Sequence, residues 1–138
     1  MPKLKDNGPY PSPENKRVLI EAELDKMRRK GIIENSIEES RQIVSPIFSR
    51  PKKEGGLRVI LDLTELEKHI VYRHFKMEIL ETALNLITPN CFMSSVDWKD
   101  AYYTIPVACS DRKFLKFRWN DTLFQYTALP NGLCPLCP

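Results

Sequence analysis

The sequence predicts an α+β fold, with a mixed and mostly antiparallel sheet and flanking helices, on three observations. Residues 12 to 30 carry apolar side chains at helical spacing. Residues 43 to 63 change to a strand pattern on both sides of a Gly-Gly turn. Residues 114 to 128 alternate apolar and polar side chains around a turn at Asn120-Asp121. Helices beside an antiparallel sheet are characteristic of this class.

The first predicted helix follows a polar, proline-containing arm at residues 1–11. Ser12 is the expected N-cap, Pro13 suits the first helical position, and Gly31 is expected to end the helix. One face should pack on the sheet, because it gathers Ile20, Leu24 and Met27.

The 138 residues fit one small domain or a piece of a larger one, and we assign residues 12–138 to that domain. Lys and Arg number 21 against 18 Asp and Glu, a net charge of +3 that is compatible with nucleic acid. Residues 1 to 60 hold 13 basic and 9 acidic side chains, so the positive excess lies in the first part. A face for phosphates is therefore expected there.

Neither a membrane-spanning protein nor a secreted protein held together by disulfides is expected. No apolar run approaches the roughly 20 residues needed to cross a bilayer, and no signal-peptide core follows Met1. We therefore expect an intracellular protein, nuclear or cytoplasmic, with no membrane partner. Four scattered cysteines argue against a secreted scaffold, and the Cys134 and Cys137 pair lacks further zinc ligands, so free thiols are expected.

A hairpin is predicted between Ile43 and Leu63, joined by the turn at Lys52 to Gly56. Pro46 places its first strand at a sheet edge. Four cations crowd the tip, and two interpretations stay open. They protect an edge strand from pairing, or they neutralise a triphosphate. The cations are Arg50, Lys52, Lys53 and Arg58.

Met77 to Ile87 is predicted to form a packing helix without chemistry. Phe92 to Val96 follows as an apolar run, predicted to be a buried strand that delivers Asp97 to its end. A carboxylate there is costly to desolvate unless a cation meets it, and a divalent metal suits an oxygen ligand. The alternative is that Asp97 and Asp100 cap the turn that follows.

Three strand segments follow the Asp97 turn. Ile105 and Val107 indicate a short strand, Phe114 to Trp119 a half-buried strand, and Leu123 to Ala128 its partner. Basic side chains on this hairpin are interpreted either as a solvated face or as nucleic-acid contacts. These are Lys113, Lys116 and Arg118.

From about Ile20 onward, this ordered series of motifs closely resembles the first half of a reverse transcriptase domain. It is most similar to those of DIRS-like and LTR retrotransposons, and the resemblance rests on the combination rather than on any single piece. The motifs are Gly31 to Glu34, Pro51 to Arg58, Leu61-Asp62-Leu63, Val96 to Tyr103, Phe124-Gln125-Tyr126, and Leu129-Pro130-Asn131-Gly132-Leu133.

The resemblance implies template-directed DNA synthesis with two Mg²⁺ ions, a primer on an RNA or DNA template, and a dNTP. Asp97 matches the first catalytic and metal-binding aspartate, and the backbone carbonyl of Trp98 a second metal contact. Tyr102 matches the aromatic residue beneath the sugar of the nucleotide.

The other implied contacts come from the hairpin tip and the last loop. Lys52 or Lys53, together with Arg58, matches the residues that grip the incoming nucleotide, and Asn131 is implied to lie near it. Contacts with the nucleic acid are implied for Arg50, Gln125 and Gly132.

One departure from the family pattern is the missing Tyr-x-Asp-Asp hairpin, which carries the remaining metal carboxylates. The sequence ends six residues after Gly132 and has no Asp-Asp pair. We therefore expect the fingers and the first part of the palm, inactive alone and completed, where active, by the remainder of the polymerase. The alternatives are an inactive nucleic-acid-binding fragment and an unstable pseudogene product.

Overall fold

The computed structural model describes residues 13–71, 79–131 and 133. The arm at residues 1–11, Ser12, Gly132, Cys134 and Cys137 lie outside this described part. Its helices and strands are α1 (Pro13–Arg29), β1 (Ile33–Asn35), β2 (Ile47–Pro51), β3 (Leu57–Leu61), α2 (Thr64–Glu67), α3 (Leu80–Leu86), β4 (Lys116–Trp119) and β5 (Thr122–Tyr126). Short 3₁₀ turns lie at Ala101–Thr104 and Arg112–Phe114.

The first helix ends as predicted, at Gly31. Gly31 has a φ of 74°, and the Ile32 N–H donates to the carbonyl of Met27 at 3.0 Å, a C-terminal cap that a residue with a side chain would adopt only with strain. The helix therefore stops where the sequence places a glycine. Its predicted apolar face is buried and consists of Ile20, Leu24 and Met27.

Five strands form two antiparallel units. The order of the larger sheet is β1-β5-β4, and β2 pairs with β3 in a separate hairpin. Asn120 and Asp121 join β4 to β5 with positive φ angles of 49° and 61°, the pair that a tight hairpin turn requires. Both predicted hairpins are confirmed. Strand β1 was not predicted, because it forms only by pairing Ile33 with Tyr126 from far along the chain.

One hydrophobic core joins the two units. Phe117 is fully buried, and its ring centroid lies 5.4 Å from that of Phe124 and 5.7 Å from that of Tyr126. These rings fill the sheet side of the core. The buried face of α1 and the inward side chains of β3 complete it, the latter being Leu57, Val59 and Leu61.

The prediction of a packing helix at Met77–Ile87 is wrong for the part that the structure describes. Helix α3 buries none of its residues, and Leu80 and Leu86 are largely exposed. Met77 lies outside the described residues. The helical spacing of the apolar residues correctly predicted that a helix forms, but no described element covers the apolar side of that helix.

The predicted short strand at Ile105 and Val107 forms only a bridge. Pro106 bridges to Ala128, with the Val107 N–H donating to the Thr127 carbonyl at 2.9 Å. The ladder goes no further because the N–H groups of Ile105 and Thr127 donate elsewhere, to the carbonyls of Tyr102 and Ile32. The segment still joins the end of β5 to the Ala101–Thr104 turn.

Candidate functional site

The hairpin of β2 and β3 brings the four predicted cations together. Arg50 and Arg58 are directly paired across the two strands, while Lys52 and Lys53 lie at the turn. Gly55 and Gly56 take φ angles of 94° and 84°, which lets the turn close. A cleft of about 450 Å³ lies among these side chains. We call Arg50, Lys52, Lys53 and Arg58 the cationic tip.

The members of the cationic tip differ in their partners. Lys52 lies 3.5 Å from a carboxylate oxygen of Glu23, which ties the tip to α1. The Arg50 guanidinium lies 5.7 Å from the centre of the Phe48 ring. Within residues 13–71, 79–131 and 133, no carboxylate lies within 4.0 Å of Arg50, Lys53 or Arg58. Three of the four cations are therefore available to an anion.

The expectation of a buried strand leading to Asp97 is wrong. Residues 91–98 form neither helix nor strand, and Val96 is 80% exposed. Asp97 is exposed as well, and so is Trp98, at 69%. A strand needs a neighbour to pair its backbone groups, and no described strand lies alongside this segment. The Asp97 carboxylate therefore stays in contact with water, and it needs no cation to compensate for burial.

Asp100 precedes the Ala101–Thr104 turn but does not cap it through its side chain. Its φ is 53°, and its carboxylate lies 3.6 Å from the Lys30 ammonium. The capping interpretation is therefore wrong for the Asp100 side chain. The turn that follows leaves Tyr102 37% exposed and Tyr103 half-buried.

Tyr103 is the residue that the sequence prediction missed. The side-chain amide of Asn131 donates a hydrogen bond to its hydroxyl at 3.4 Å. Burial raises the pKa of Tyr103, the negative charges of Asp100 and Glu23 raise it further, and Arg58 opposes them. Tyr103 thus lies within the electrostatic reach of the cationic tip and contacts Asn131. The only available signal was its place beside Tyr102.

Gln125 is held inside the three-stranded sheet by both ends of its amide. It donates to Glu34 at 2.7 Å and accepts from the Ser36 hydroxyl at 3.0 Å. Arg112 also binds Glu34, at 3.1 Å. A nucleic-acid contact through the Gln125 amide would compete with these bonds. Gly132, the other predicted contact of this region, lies outside the described residues.

Lys116 does not lie on a solvated face. It is fully buried, and its ammonium donates to Glu39 at 2.6 Å, to the Ile37 carbonyl at 2.6 Å and to Gln42 at 3.0 Å. Three donors thus meet three acceptors. Arg118 pairs with Glu38, so an acidic segment covers the basic side of β4.

The described residues do not fit a two-magnesium centre. Such a centre needs several carboxylate oxygens, and no group of three or more His, Cys, Asp or Glu suited to a metal occurs in the described ranges. Asp97 and the Trp98 carbonyl offer two oxygens at an exposed position. We also find no membrane-length apolar helix among the residues described.

Comparison with models of protein families gives no match. In sequence, the chain is 31% identical over 125 residues to the Tf2-3 and Tf2-4 transposon polyproteins of Schizosaccharomyces pombe. The match covers 90% of this chain but 9% of each polyprotein.

Three solved structures of foamy virus protease-reverse transcriptase resemble the fold. The native prototype foamy virus protein has a TM-score of 0.71 at 20% identity, covering 89% of this chain and 16% of that one. The complex with double-stranded DNA gives 0.70 at 18%, covering 96% and 27%. The complex with an RNA/DNA hybrid gives 0.71 at 18%, covering 89% and 16%. The chain is therefore similar in sequence to part of retrotransposon polyproteins and in fold to part of a viral protease-reverse transcriptase.

Proposed function

We propose that this chain is the fingers and the first part of the palm of a retroelement reverse transcriptase, of LTR or DIRS-like type. Its own task is to bind a primer on an RNA or DNA template and the phosphates of an incoming dNTP. The sequence similarity to retrotransposon polyproteins supports the class of element. The nucleic-acid complexes of the foamy virus protein support the kind of partner.

The cationic tip is the observation that carries this proposal. Like charges directly opposite each other destabilise a strand pair, and Arg50 faces Arg58 in this way. A bound anion would offset that repulsion. Guanidinium groups form paired hydrogen bonds with phosphate oxygens, and a lysine ammonium adds a mobile charge. Arg58 would hold the triphosphate, with Lys53 or Lys52 beside it.

The choice between the two lysines follows from their partners. Lys52 must leave Glu23 to reach a phosphate, whereas Lys53 is exposed at the turn. The Lys52–Glu23 pair is partly buried and 3.5 Å long, so the move to a phosphate exchanges one anionic partner for another. We propose that Lys52 moves between the two, and that Tyr102 and Asn131 contact the nucleotide beyond its phosphates.

Magnesium chemistry is not assigned to this chain alone. Asp97 would supply one carboxylate to a metal centre, and the described residues do not offer the others. The proposal is therefore that the isolated 138-residue protein binds nucleic acid without extending a primer. Incorporation of dNTP on a primer-template with Mg²⁺, abolished by D97N, would contradict this half of the proposal.

Binding tests the other half. The variant K52Q/K53Q/R58Q removes three tip charges, and K26Q/R28Q/K68Q removes three exposed charges elsewhere as the matched control. Fluorescence anisotropy with a labelled dNTP across a salt series should show weaker binding and a smaller log-log salt slope for the tip variant, because fewer charged contacts with the triphosphate remain to be screened.

An unchanged slope for the tip variant, or an equal reduction in the control, would contradict the tip as a phosphate site. The single variants K52Q and K53Q then separate the two lysines. If Lys52 exchanges partners, E23Q should leave the salt slope intact and tighten binding slightly, since it frees the ammonium.

A further inference from the structure

The Ala101–Thr104 turn and the loop that begins at Leu129 lie side by side. The Leu129 N–H donates to the carbonyl of Ile105 at 2.9 Å, directly after the turn. Pro130, the next residue of the loop, is fully buried. The backbone of the loop is therefore held against the turn up to the residue before Asn131.

These backbone contacts leave the side chain of Asn131 to be oriented by other means. An asparagine amide turns about two side-chain torsions, and the last of them has no sharp preference. Among the described residues, one side-chain hydrogen bond forms here, from the Asn131 amide nitrogen to the Tyr103 hydroxyl at 3.4 Å. The nitrogen thus has a partner, and the side-chain oxygen is left to accept a hydrogen bond.

Tyr103 is anchored more firmly than its neighbour Tyr102. The ring of Tyr103 is half-buried and packs against the hydrophobic core, whereas Tyr102 is 37% exposed. Side chains that pack on a core are held in fixed positions. The Tyr103 hydroxyl is therefore a fixed point from which Asn131 can be oriented.

We propose that Tyr103 is a positioning residue for nucleotide binding. Its hydroxyl holds the Asn131 amide in one orientation, and the side-chain oxygen of Asn131 accepts a hydrogen bond from the sugar or base of the nucleotide. The bond of 3.4 Å is long, and hydrogen bonds at such sites tighten when the ligand is bound. Orienting the amide in advance lowers the entropy cost of binding.

This inference rests on the proposed function, which places a nucleotide beside Asn131. It deepens that function by separating two parts of recognition. The cationic tip meets the phosphates, while Tyr103 acts only through Asn131 on the part of the nucleotide beyond them. Loss of the Tyr103 hydroxyl should therefore weaken binding of a whole nucleotide and leave binding of a bare triphosphate unchanged.

The test is isothermal titration calorimetry of the 138-residue protein with dATP and with inorganic tripolyphosphate. Y103F removes the hydroxyl and keeps the ring that packs on the core. We expect the affinity of Y103F for dATP to fall about 2- to 10-fold, the effect of one hydrogen bond. Its affinity for tripolyphosphate should change less than about twofold. The variant K52Q/K53Q/R58Q should weaken both ligands.

A double-mutant cycle tests whether Tyr103 acts through Asn131. N131A should lose at least as much dATP affinity as Y103F, and adding Y103F to N131A should cause no further loss. The matched control is T104V, which removes a hydroxyl of the same turn. That hydroxyl donates to the Ala101 carbonyl at 2.6 Å, so T104V should leave both affinities within about twofold of the parent.

Nuclear magnetic resonance provides a readout that needs no ligand. The side-chain amide signals of Asn131, assigned by their loss in N131A, should shift in Y103F and stay in place in T104V. Unchanged signals in Y103F would overturn the inference. Additive losses of dATP affinity in the double variant, or equal weakening of dATP and tripolyphosphate by Y103F, would overturn it as well.

The tip variant separates this inference from the proposed function. If K52Q/K53Q/R58Q bound dATP and tripolyphosphate like the parent protein, the proposed function of the cationic tip would fail. The Asn131 signals and the Y103F/N131A cycle would still report whether Tyr103 orients Asn131.

Discussion

The hairpin that carries the cationic tip and the segment that carries Asp97 differ in what supports them. Strand β3 buries Leu57, Val59 and Leu61 in the core, and α1 packs against it. The Asp97 segment exposes its apolar side chains instead, including Phe92, Met93 and Val96. Side chains on a packed strand are held in fixed relative positions, whereas those of an unpaired segment are not. The hairpin thus holds the residues of the cationic tip in place within this fold, whereas the described residues supply no packing contacts that would hold Asp97.

The largest predicted effect contrasts the two regions directly. Phe117→Ala should destabilise the protein by about 3–5 kcal/mol, because it removes a fully buried ring that packs on two others. Phe92→Ala, at an exposed ring in the Asp97 segment, should change stability by less than about 0.5 kcal/mol. Urea unfolding of the two variants gives both values.

Similar losses for the two phenylalanines would break the contrast, since they would show that Phe92 packs in solution. The parent protein's own unfolding curve serves as the control. A broad, noncooperative curve for the parent would instead favour the unstable-product alternative.

The second prediction concerns the buried cation behind the three-stranded sheet. Lys116→Ala should cost about 2–3 kcal/mol, because it leaves Glu39, Gln42 and the Ile37 carbonyl without their shared donor. Thermal unfolding measures the loss. The matched control is Lys68→Ala, whose exposed ion pair with Glu65 should contribute no more than about 0.5 kcal/mol.

Equal effects of Lys116→Ala and Lys68→Ala would mean that the acidic segment does not cover β4 in solution. Nucleic-acid affinity offers a second readout. If Lys116 is buried as described, Lys116→Ala should leave the salt slope of DNA binding unchanged.

The smallest predicted effect is the pH dependence at the end of β3. Hydrogen bonds from the Thr64 hydroxyl and N–H lower the pKa of Asp62 below its usual 3.8. The folded pKa is thus below the unfolded one. The associated stability is present above the unfolded pKa and is lost as the pH falls through the folded pKa. Between about pH 5 and pH 2, Asp62→Asn should therefore show a smaller drop in Tm than the parent.

Thr64→Val tests the cause of that shift, because it removes the hydroxyl donor and keeps the backbone one. Its pH dependence should lie between those of the parent and Asp62→Asn. A parent-like profile for Asp62→Asn would show that other groups control the acid transition.

Local chemistry made several elements predictable from the sequence. Helix α1 stops at Gly31, the tip hairpin turns at Gly55 and Gly56, and Asn120-Asp121 closes the second hairpin. Each depends on backbone preferences and apolar spacing within a few residues, and these local properties can be read directly from the sequence. The clustering of four cations followed from the same logic, since a hairpin brings the residues beside its turn together.

The tertiary structure decided which of those side chains are free, buried or paired. Lys116 is buried by a segment more than 70 positions away, and Lys52 meets Glu23 across 29 positions. Tyr103 contacts Asn131, 28 positions along. The apolar run before Asp97 reads as a buried strand, yet burial requires a neighbouring surface that no local pattern can supply. Sequence thus determined helix α1, the two hairpins and the charge at the tip, whereas β1 and the surroundings of each side chain depended on packing between distant residues.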